Sequence, residues 1–380
     1  MSVVTAYLED CREIVLDALR ALLPRDGEAH RVLYSLMLDY PLREAKGLRP
    51  GLCIAVCRAL GGQLEAVVPS AAVLELFHNA FLIHDDIEDQ SELRRGAPTL
   101  HHAHGVPIAV NVGDAMLALA LGPLLENTRV VGLGKALRIL ETVAVMCRES
   151  VEGQALELDW MRHNAWDLDE EDYVRMVEKK TSYYTFVAPV QIGCLAAGCG
   201  DDERAELGAF ARVLGIAFQI QDDLLNLDEA ANGTGYGKEL AGDLWEGKRT
   251  LILLHALRAA SEAERARALA VLRKPRVAVE PEVDALLGEL VASGELAAPA
   301  RARVEAELGR RRARTKTAED VAFLKELIDR ADSVAHARAV ARRYGEEAAA
   351  RLEACAAFVP PSVHRDFLGA LVDYVHTRVR

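Results

Sequence analysis

Two acid clusters carry the chemistry open to this chain. The first is His84-Asp85-Asp86-Ile87-Glu88-Asp89, trailed by Ser91, Arg94 and Arg95. Asp85 and Asp89 are four residues apart, so on a helix their carboxylates share one face, about 6 Å apart along the axis. Like charges placed this way repel, at a cost of roughly a few tenths of a kcal/mol. A hard divalent cation turns that cost into a ligand set. The second cluster is Phe218-Gln219-Ile220-Gln221-Asp222-Asp223-Leu224-Leu225-Asn226, in which Asp222 and Asn226 share a face. Each cluster directly follows an apolar run, Ala80-Phe81-Leu82-Ile83 in one case and Val213-Leu214-Gly215-Ile216-Ala217 in the other. Two core helices ending in acids point to one shared cavity. A magnesium site held by few carboxylates and many waters takes substrate phosphates to complete its shell.

The cations match that demand. Lys46 and Arg49 precede the first core helices, and Arg94 and Arg95 follow the first acid cluster. Lys179 and Lys180 sit mid-chain, while Lys238, Lys248 and Arg249 follow the second cluster. Alone, each reads as a solvated surface residue. Grouped around acid clusters in a chain of net charge −13, they mark the places where an anion binds. The same acidic balance argues against a nucleic-acid partner, which needs clustered cation.

The elements that must position these groups are helical. The composition is 51% hydrophobic, 27% charged and only 5% aromatic across 380 residues, a globular chain rich in helix formers. Apolar residues recur at helical spacing, and alternating strand-like runs are absent. Helices are expected over roughly 3–22, 28–38, 49–61, 69–90, 107–126, 134–163, 170–197, 202–228, 248–260, 282–292, 298–313, 318–330, 332–356 and 361–378. The stretch from Pro107 to Leu125 reads as a buried core helix and not a membrane span, because Gly113, Asp114, Gly122 and Pro123 interrupt it. The seven cysteines, Cys11, Cys53, Cys57, Cys147, Cys194, Cys199 and Cys355, include no CxxC pair and read as small buried hydrophobes in a reducing compartment. The N-terminus lacks the basic-then-apolar pattern of an export signal, so a cytoplasmic protein is expected. No linker divides the chain, which reads as a single domain over 1–380. An excursion at about 275–316, rich in Ala, Arg and Glu, is expected as an added helical pair.

At these residues the sequence resembles the trans-isoprenyl diphosphate synthases, the polyprenyl synthetase family, and particularly its bacterial geranylgeranyl/farnesyl members. DDIEDQSELRRGAPTLH looks like their first aspartate-rich motif and FQIQDDLLNL like their second. AKGLRP, ELFHNAFLIHDD, NVGDAMLALA, GQALEL, EKKTSYYTF and GKELAGDLWEGKRT follow in the family's order. The resemblance implies an all-α isoprenoid synthase type I helical bundle around a deep central cavity, acting as a homodimer without transmembrane segments. It implies condensation of isopentenyl diphosphate with an allylic diphosphate (dimethylallyl, geranyl or farnesyl), assisted by a set of three Mg²⁺ ions. Residue by residue, Asp85, Asp89 and Asp222 would bind metal, while Asp86, Asp223 and Asn226 would orient its waters. Arg94, Lys180, Lys238 and Lys248 would grip the allylic diphosphate, and Lys46, Arg49, His78 and Arg95 would hold isopentenyl diphosphate. Thr181 and Gln219 would lie beside the reacting carbons, and the released diphosphate would take the proton. Phe77, Ala80 and Phe81, one to two turns before the acids, would form the cavity floor, and the small residue beside large ones favours a geranylgeranyl product. The chain departs from the family pattern at Glu44-Ala45, where a glycine pair is usual, at Glu157, and at Asn226.

Farnesyl or longer products, of about twenty-five carbons and above, are the alternative, as is a class I terpene cyclase, which would not need the second diphosphate site. A di-iron bundle requires two Glu-x-x-His motifs, and only Glu75-Leu76-Phe77-His78 fits. A non-catalytic partner subunit would not need two intact acid clusters.

Overall fold

The structure, a computed structural model, describes residues 2–43, 45–227, 241–275, 281–294, 296–312 and 314–377. The chain forms two compact units, one of residues 1–156, 174–239 and 338–380, the other of residues 157–173 and 240–337. The expected excursion at 275–316 belongs to the second.

In the first unit, α1 (Val3–Leu22) opens on Ser2, whose side chain accepts a bond from the Thr5 amide and so satisfies one orphan donor. Gly47 then takes φ 61° as the cap before α2 (Leu48–Ala59), a left-handed conformation suited to glycine. Next comes α3 (Leu64–Glu88), which carries the first acid cluster at its C-terminus. It is buried almost all round between Val67 and Ala80, so it is the axis of the core and not an amphipathic surface helix. It begins five residues earlier than the periodicity suggests. Pro69 lies in its second turn, where the ring removes a single backbone bond without ending the helix.

Two short strands follow, β1 (Leu93–Arg94) and β2 (Ala97–Pro98), paired antiparallel. The sequence reading, which has no strands, misses this hairpin because two residues a side leave no alternation to detect. Its two-residue loop has Arg95 at φ 52° and Gly96 at φ 74°, the left-handed pair of a type I′ turn.

The apolar segment after it forms α4 (Val106–Leu119) and α5 (Leu121–Val130). Here the reading as a buried helix needs correction. Ala109, Val112, Met116 and Leu124 are buried, but Ile108, Leu121 and Leu125 are exposed. Both faces are apolar, so composition cannot tell the packed face from the open one. Among the described residues, two helical spans, Leu64–Glu88 and Val106–Val130, are long and apolar enough to cross a membrane; 72% of the first span's window is buried inside the protein and 39% of the second's.

The long α6 (Leu133–His163) precedes α7 (Glu170–Val177), a π-helical stretch (Glu178–Val187) and α8 (Ala188–Ala197), which run on without a break. The second acid cluster ends α9 (Asp201–Leu227). Within the first unit α2, α3, α8 and α9 pack in sequence around the core, with α9 against the π-helical stretch. Cys53, Cys57 and Cys194 are buried there as free thiols.

The second unit contains α10 (Gly242–Glu246), α11 (Leu251–Ala259), α12 (Glu262–Leu272), α13 (Pro281–Ala292), α14 (Ala298–Arg312) and α15 (Ala318–Arg330). The expected helix 248–260 starts only at Leu251, and α12 is absent from the sequence reading. Its Ala- and Arg-rich stretch has no apolar stripe, yet Ser261 and Glu264 close a capping box at its start. Finally α16 (Ser333–Ala354) begins in the second unit and α17 (Val363–Thr377) packs on α2 in the first.

Candidate active site

The first acid cluster does not present its carboxylates uniformly. Asp86 is fully buried; its Oδ2 accepts from the Tyr40 hydroxyl at 2.6 Å and its Oδ1 from Arg94 Nε at 2.9 Å. Asp85, its neighbour in the chain, is half-buried. Arg94 approaches its Oδ2 at 3.8 Å, Lys180 Nζ its Oδ1 at 3.4 Å, and Gln154 Nε2 the same oxygen at 3.4 Å. Gln154 also donates to Glu88 at 2.5 Å. Partial burial pushes the Glu88 carboxyl up, and the nearby Asp85 and Asp89 push it further. Burial opposes the charge on Arg94, but Asp86, Asp85 and Tyr40 together outweigh it and raise the guanidinium above its ordinary range.

The second cluster reaches the first through consecutive residues of the π-helical stretch. Lys180 points to Asp85, while the Thr181 hydroxyl donates to Gln219 Oε1 at 2.8 Å, and Gln219 Nε2 donates to Asp223 at 2.8 Å. Lys179, one residue earlier, turns away to Glu149 at 2.7 Å and Glu152 at 2.6 Å. Asp222 is half-buried and Asn226 buried on the same helix end. Gly153 makes the approach of α6 possible, since a Cβ there would lie 2.3 Å from the Lys180 backbone nitrogen.

A cluster of positive groups adjoins the acids. Arg49 donates to Thr185 Oγ1 at 2.8 Å and stacks over the Tyr184 ring at 4.3 Å. His78 is buried, its pKa pushed well below the ordinary value first by burial and then by Arg49, Arg95 and Arg94. Burial together with Arg94, Arg49 and Arg43 lowers Arg95 to about 10, opposed by Glu75. Arg49 Nε and His78 Nδ1 are buried without a hydrogen-bond partner among the described residues. Buried polar nitrogens left without partners beside excess positive charge fit an anion, which supplies acceptor oxygens and offsets the charge together.

Of the expected residues, Lys46 is exposed just before Gly47, Lys248 pairs with Glu246 at 3.0 Å in the second unit, and Lys238, like Glu44, lies outside the described residues. Phe77 and Phe81 stand 6.1 Å apart, and Phe81 meets the Tyr184 ring edge at 5.7 Å, with Ala80 fully buried beside them. His84 packs over Gly113 and faces Asp114 at 3.5 Å, away from a ligand role. The sequence reading misses Tyr40, Arg43, Glu75, Gln154 and Tyr184. Glu75, Gln154 and Tyr184 lie inside ELFHNAFLIHDD, GQALEL and EKKTSYYTF, signals that were available; Tyr40 and Arg43 carry none of their own.

Among the described residues, no three His, Cys, Asp or Glu side chains already converge as a metal set. Asp85, Asp89 and Asp222 nevertheless fit magnesium by donor chemistry: hard oxygens, few in number, which leave positions for water and phosphate.

Fold and site together give an all-α protein that sets two acid clusters beside a cluster of buried positive groups. The chain belongs to the polyprenyl synthetase family, whose model matches residues 31–290, and it is a prenyltransferase. It is 35% identical over 254 residues to a short chain isoprenyl diphosphate synthase of Methanocaldococcus jannaschii, covering 67% of this chain and 75% of that one. A geranylgeranyl diphosphate synthase of Sulfolobus acidocaldarius is 32% identical, covering 70% of this chain and 78% of its own. Among solved structures, a geranylgeranyl pyrophosphate synthetase from Pyrococcus horikoshii superposes with TM-score 0.77 at 27% identity over 99% of this chain and 98% of that one. A geranylgeranyl pyrophosphate synthase from Corynebacterium glutamicum, TM-score 0.73 and 25% identical over 99% of both chains, was crystallised with isoprenyl diphosphate and magnesium.

Proposed function

We propose that the protein joins isopentenyl diphosphate to an allylic diphosphate and releases geranylgeranyl diphosphate. The observation that carries this reading is the reach of Lys180 and Thr181, neighbours in the chain, to the two acid clusters in turn. That arrangement supports one shared site. Magnesium bound by Asp85, Asp89 and Asp222 would supply Lewis acidity toward the departing diphosphate. Arg94 and Lys180 hold that leaving group, and charge developing on it is what their fixed positions stabilise. Arg49, His78 and Arg95 hold the second diphosphate, which stays attached. The Thr181 and Gln219 oxygens turn dipoles toward the allylic carbons as positive charge grows. The new carbon–carbon bond forms before a proton leaves to the released diphosphate, so no His or Glu base is required.

Phe77 and Phe81, two turns and one turn before the acids, form an aromatic shelf with Tyr184 of the π-helical stretch, which supports a floor under the growing chain. Ile108, Leu121, Leu125, Leu133, Leu137 and Val151 expose an apolar face on α4, α5 and α6. A face of that kind calls for a partner, and a second copy of this chain is the reading we favour, in a cytoplasmic homodimer.

The test is incubation of pure protein with isopentenyl diphosphate, each allylic primer and Mg²⁺, with products sized by chromatography. A twenty-carbon product is expected, and Phe77→Ala or Phe81→Ala should extend it. Turnover of an allylic diphosphate alone into a cyclic hydrocarbon would replace this reading with a cyclase.

A further inference from the structure

The hairpin between β1 and β2 turns two consecutive arginines to different neighbours. Arg94 faces Asp86 and Asp85, whereas Arg95 lies among Glu75, Arg49 and His78. The divergence depends on a left-handed backbone at Arg95, φ 52°, a position where type I′ turns favour Asn, Asp or Gly. A β-carbon there is strained, and such a conformation persists only where its surroundings over-determine it.

The surroundings that do so come from residues 40–43. Tyr40 is 1% exposed and bonded at both ends. Its hydroxyl donates to Asp86 Oδ2 at 2.6 Å and accepts from the Leu100 amide at 3.1 Å. Its carbonyl accepts from Arg95 Nη1 at 2.6 Å. Arg43 stacks on the Tyr40 ring at 4.7 Å and donates to the Arg94 carbonyl at 2.7 Å and the Pro98 carbonyl at 2.8 Å, which bolts both strands of the hairpin to this segment. A phenol buried this deeply and bonded to both a carboxylate and a backbone amide is not needed for packing alone, since phenylalanine would fill the same volume.

We propose that Tyr40 is a positioning residue that sorts the two arginines between the two diphosphates: its hydroxyl fixes Arg94 through Asp86, and its carbonyl fixes Arg95. This rests on the proposed function for which anion each arginine meets. On this view Asp86 serves as a buried anchor for Arg94 and not as a group facing metal-bound water.

The two attachments can be separated, because Tyr40→Phe removes the hydroxyl and keeps the carbonyl and the ring. Kinetics with each substrate varied in turn should show kcat/KM for the allylic diphosphate lowered roughly 10- to 100-fold, the loss of one charge-assisted hydrogen bond. Affinity for isopentenyl diphosphate, measured by calorimetry without metal, should stay within about twofold of wild type, since the carbonyl that holds Arg95 remains. Equal losses for both substrates, a loss confined to isopentenyl diphosphate, or no change at all would each overturn the proposal. If Tyr40→Phe does not fold, Asp86→Asn answers the same question, because it keeps an acceptor for the phenol and removes the charge that grips Arg94; its loss must again fall on the allylic side. Wild-type turnover is the control. Should it be missing, the proposed function fails, and calorimetry with inorganic diphosphate carries the test of the clamp: weaker binding to Tyr40→Phe supports it and unchanged binding overturns it.

Discussion

At the scale of single residues, the site is built from groups held in one charge state by their surroundings. His78 is the clearest case, since burial and three arginines keep its ring neutral in the folded protein. In the unfolded chain the ring takes up a proton once pH falls below about 6.5. The folded ring titrates lower, so its contribution to stability is constant above that value and declines below it, by up to about 1.4 kcal/mol per pH unit. Thermal unfolding of wild type and His78→Gln between pH 8 and 5 should therefore diverge on the acid side, with the variant losing stability more slowly. Parallel curves would mean that the folded ring is free to charge. A neutral imidazole among arginines also leaves its unpartnered Nδ1 available to an anion without adding a fourth cation to the repulsion.

The elements explain why side chains adjacent in sequence do different work. An α-helix separates neighbours by about 100°, and the π-helical stretch at Glu178–Val187 alters that spacing where Lys179, Lys180 and Thr181 must face α6, α3 and α9 in turn. Such stretches recur at functional sites because they re-aim side chains that a regular helix would line up. The approach of α6 depends on Gly153, whose missing Cβ leaves room for the Lys180 backbone. Gly153→Ala should cost about 1–3 kcal/mol in stability by overpacking, and turnover should fall with it because Lys180 moves from Asp85. A variant with unchanged Tm and rate would show that the two elements part there freely. Gly215 does the same service for Ser182 on α9, so two glycines on separate helices admit one backbone.

For the whole molecule, the decisive feature is where apolar surface remains uncovered. The face formed by α4, α5 and α6 contains leucines as exposed as Leu125, at 66%. If a second copy covers it, light scattering should give about twice the 41.5 kDa chain mass. Leu125→Glu combined with Leu137→Glu should release a single-chain species, because two buried charges per protomer cost more than the contact returns. A doubled mass that survives both changes would place the contact elsewhere. The net charge of −13 restricts partners rather than fold; local positive clusters, and not overall charge, receive the anions.

Fold class and most of the helices were legible from periodicity alone, since a helix that buries one stripe must repeat its apolar residues at about 3.6. Both acid clusters could be placed at core-helix ends for the same reason. The hairpin at Leu93–Pro98, the helix at Glu262–Leu272 and the exposed side of Val106–Val130 were not legible, because each lacks a contrast between apolar and polar faces. Local sequence also says nothing about Tyr40, whose partner Asp86 lies 46 residues away; GQALEL signals Gln154, but not its reach to Asp85, 69 residues away. The order of residue types along the chain determined which chemistry was available: paired carboxylates, trailing arginines, and a route to magnesium and diphosphate. Only tertiary packing decided which carboxylate is sealed inside and which stays open, because burial and long-range hydrogen bonds depend on neighbours that the chain supplies from afar.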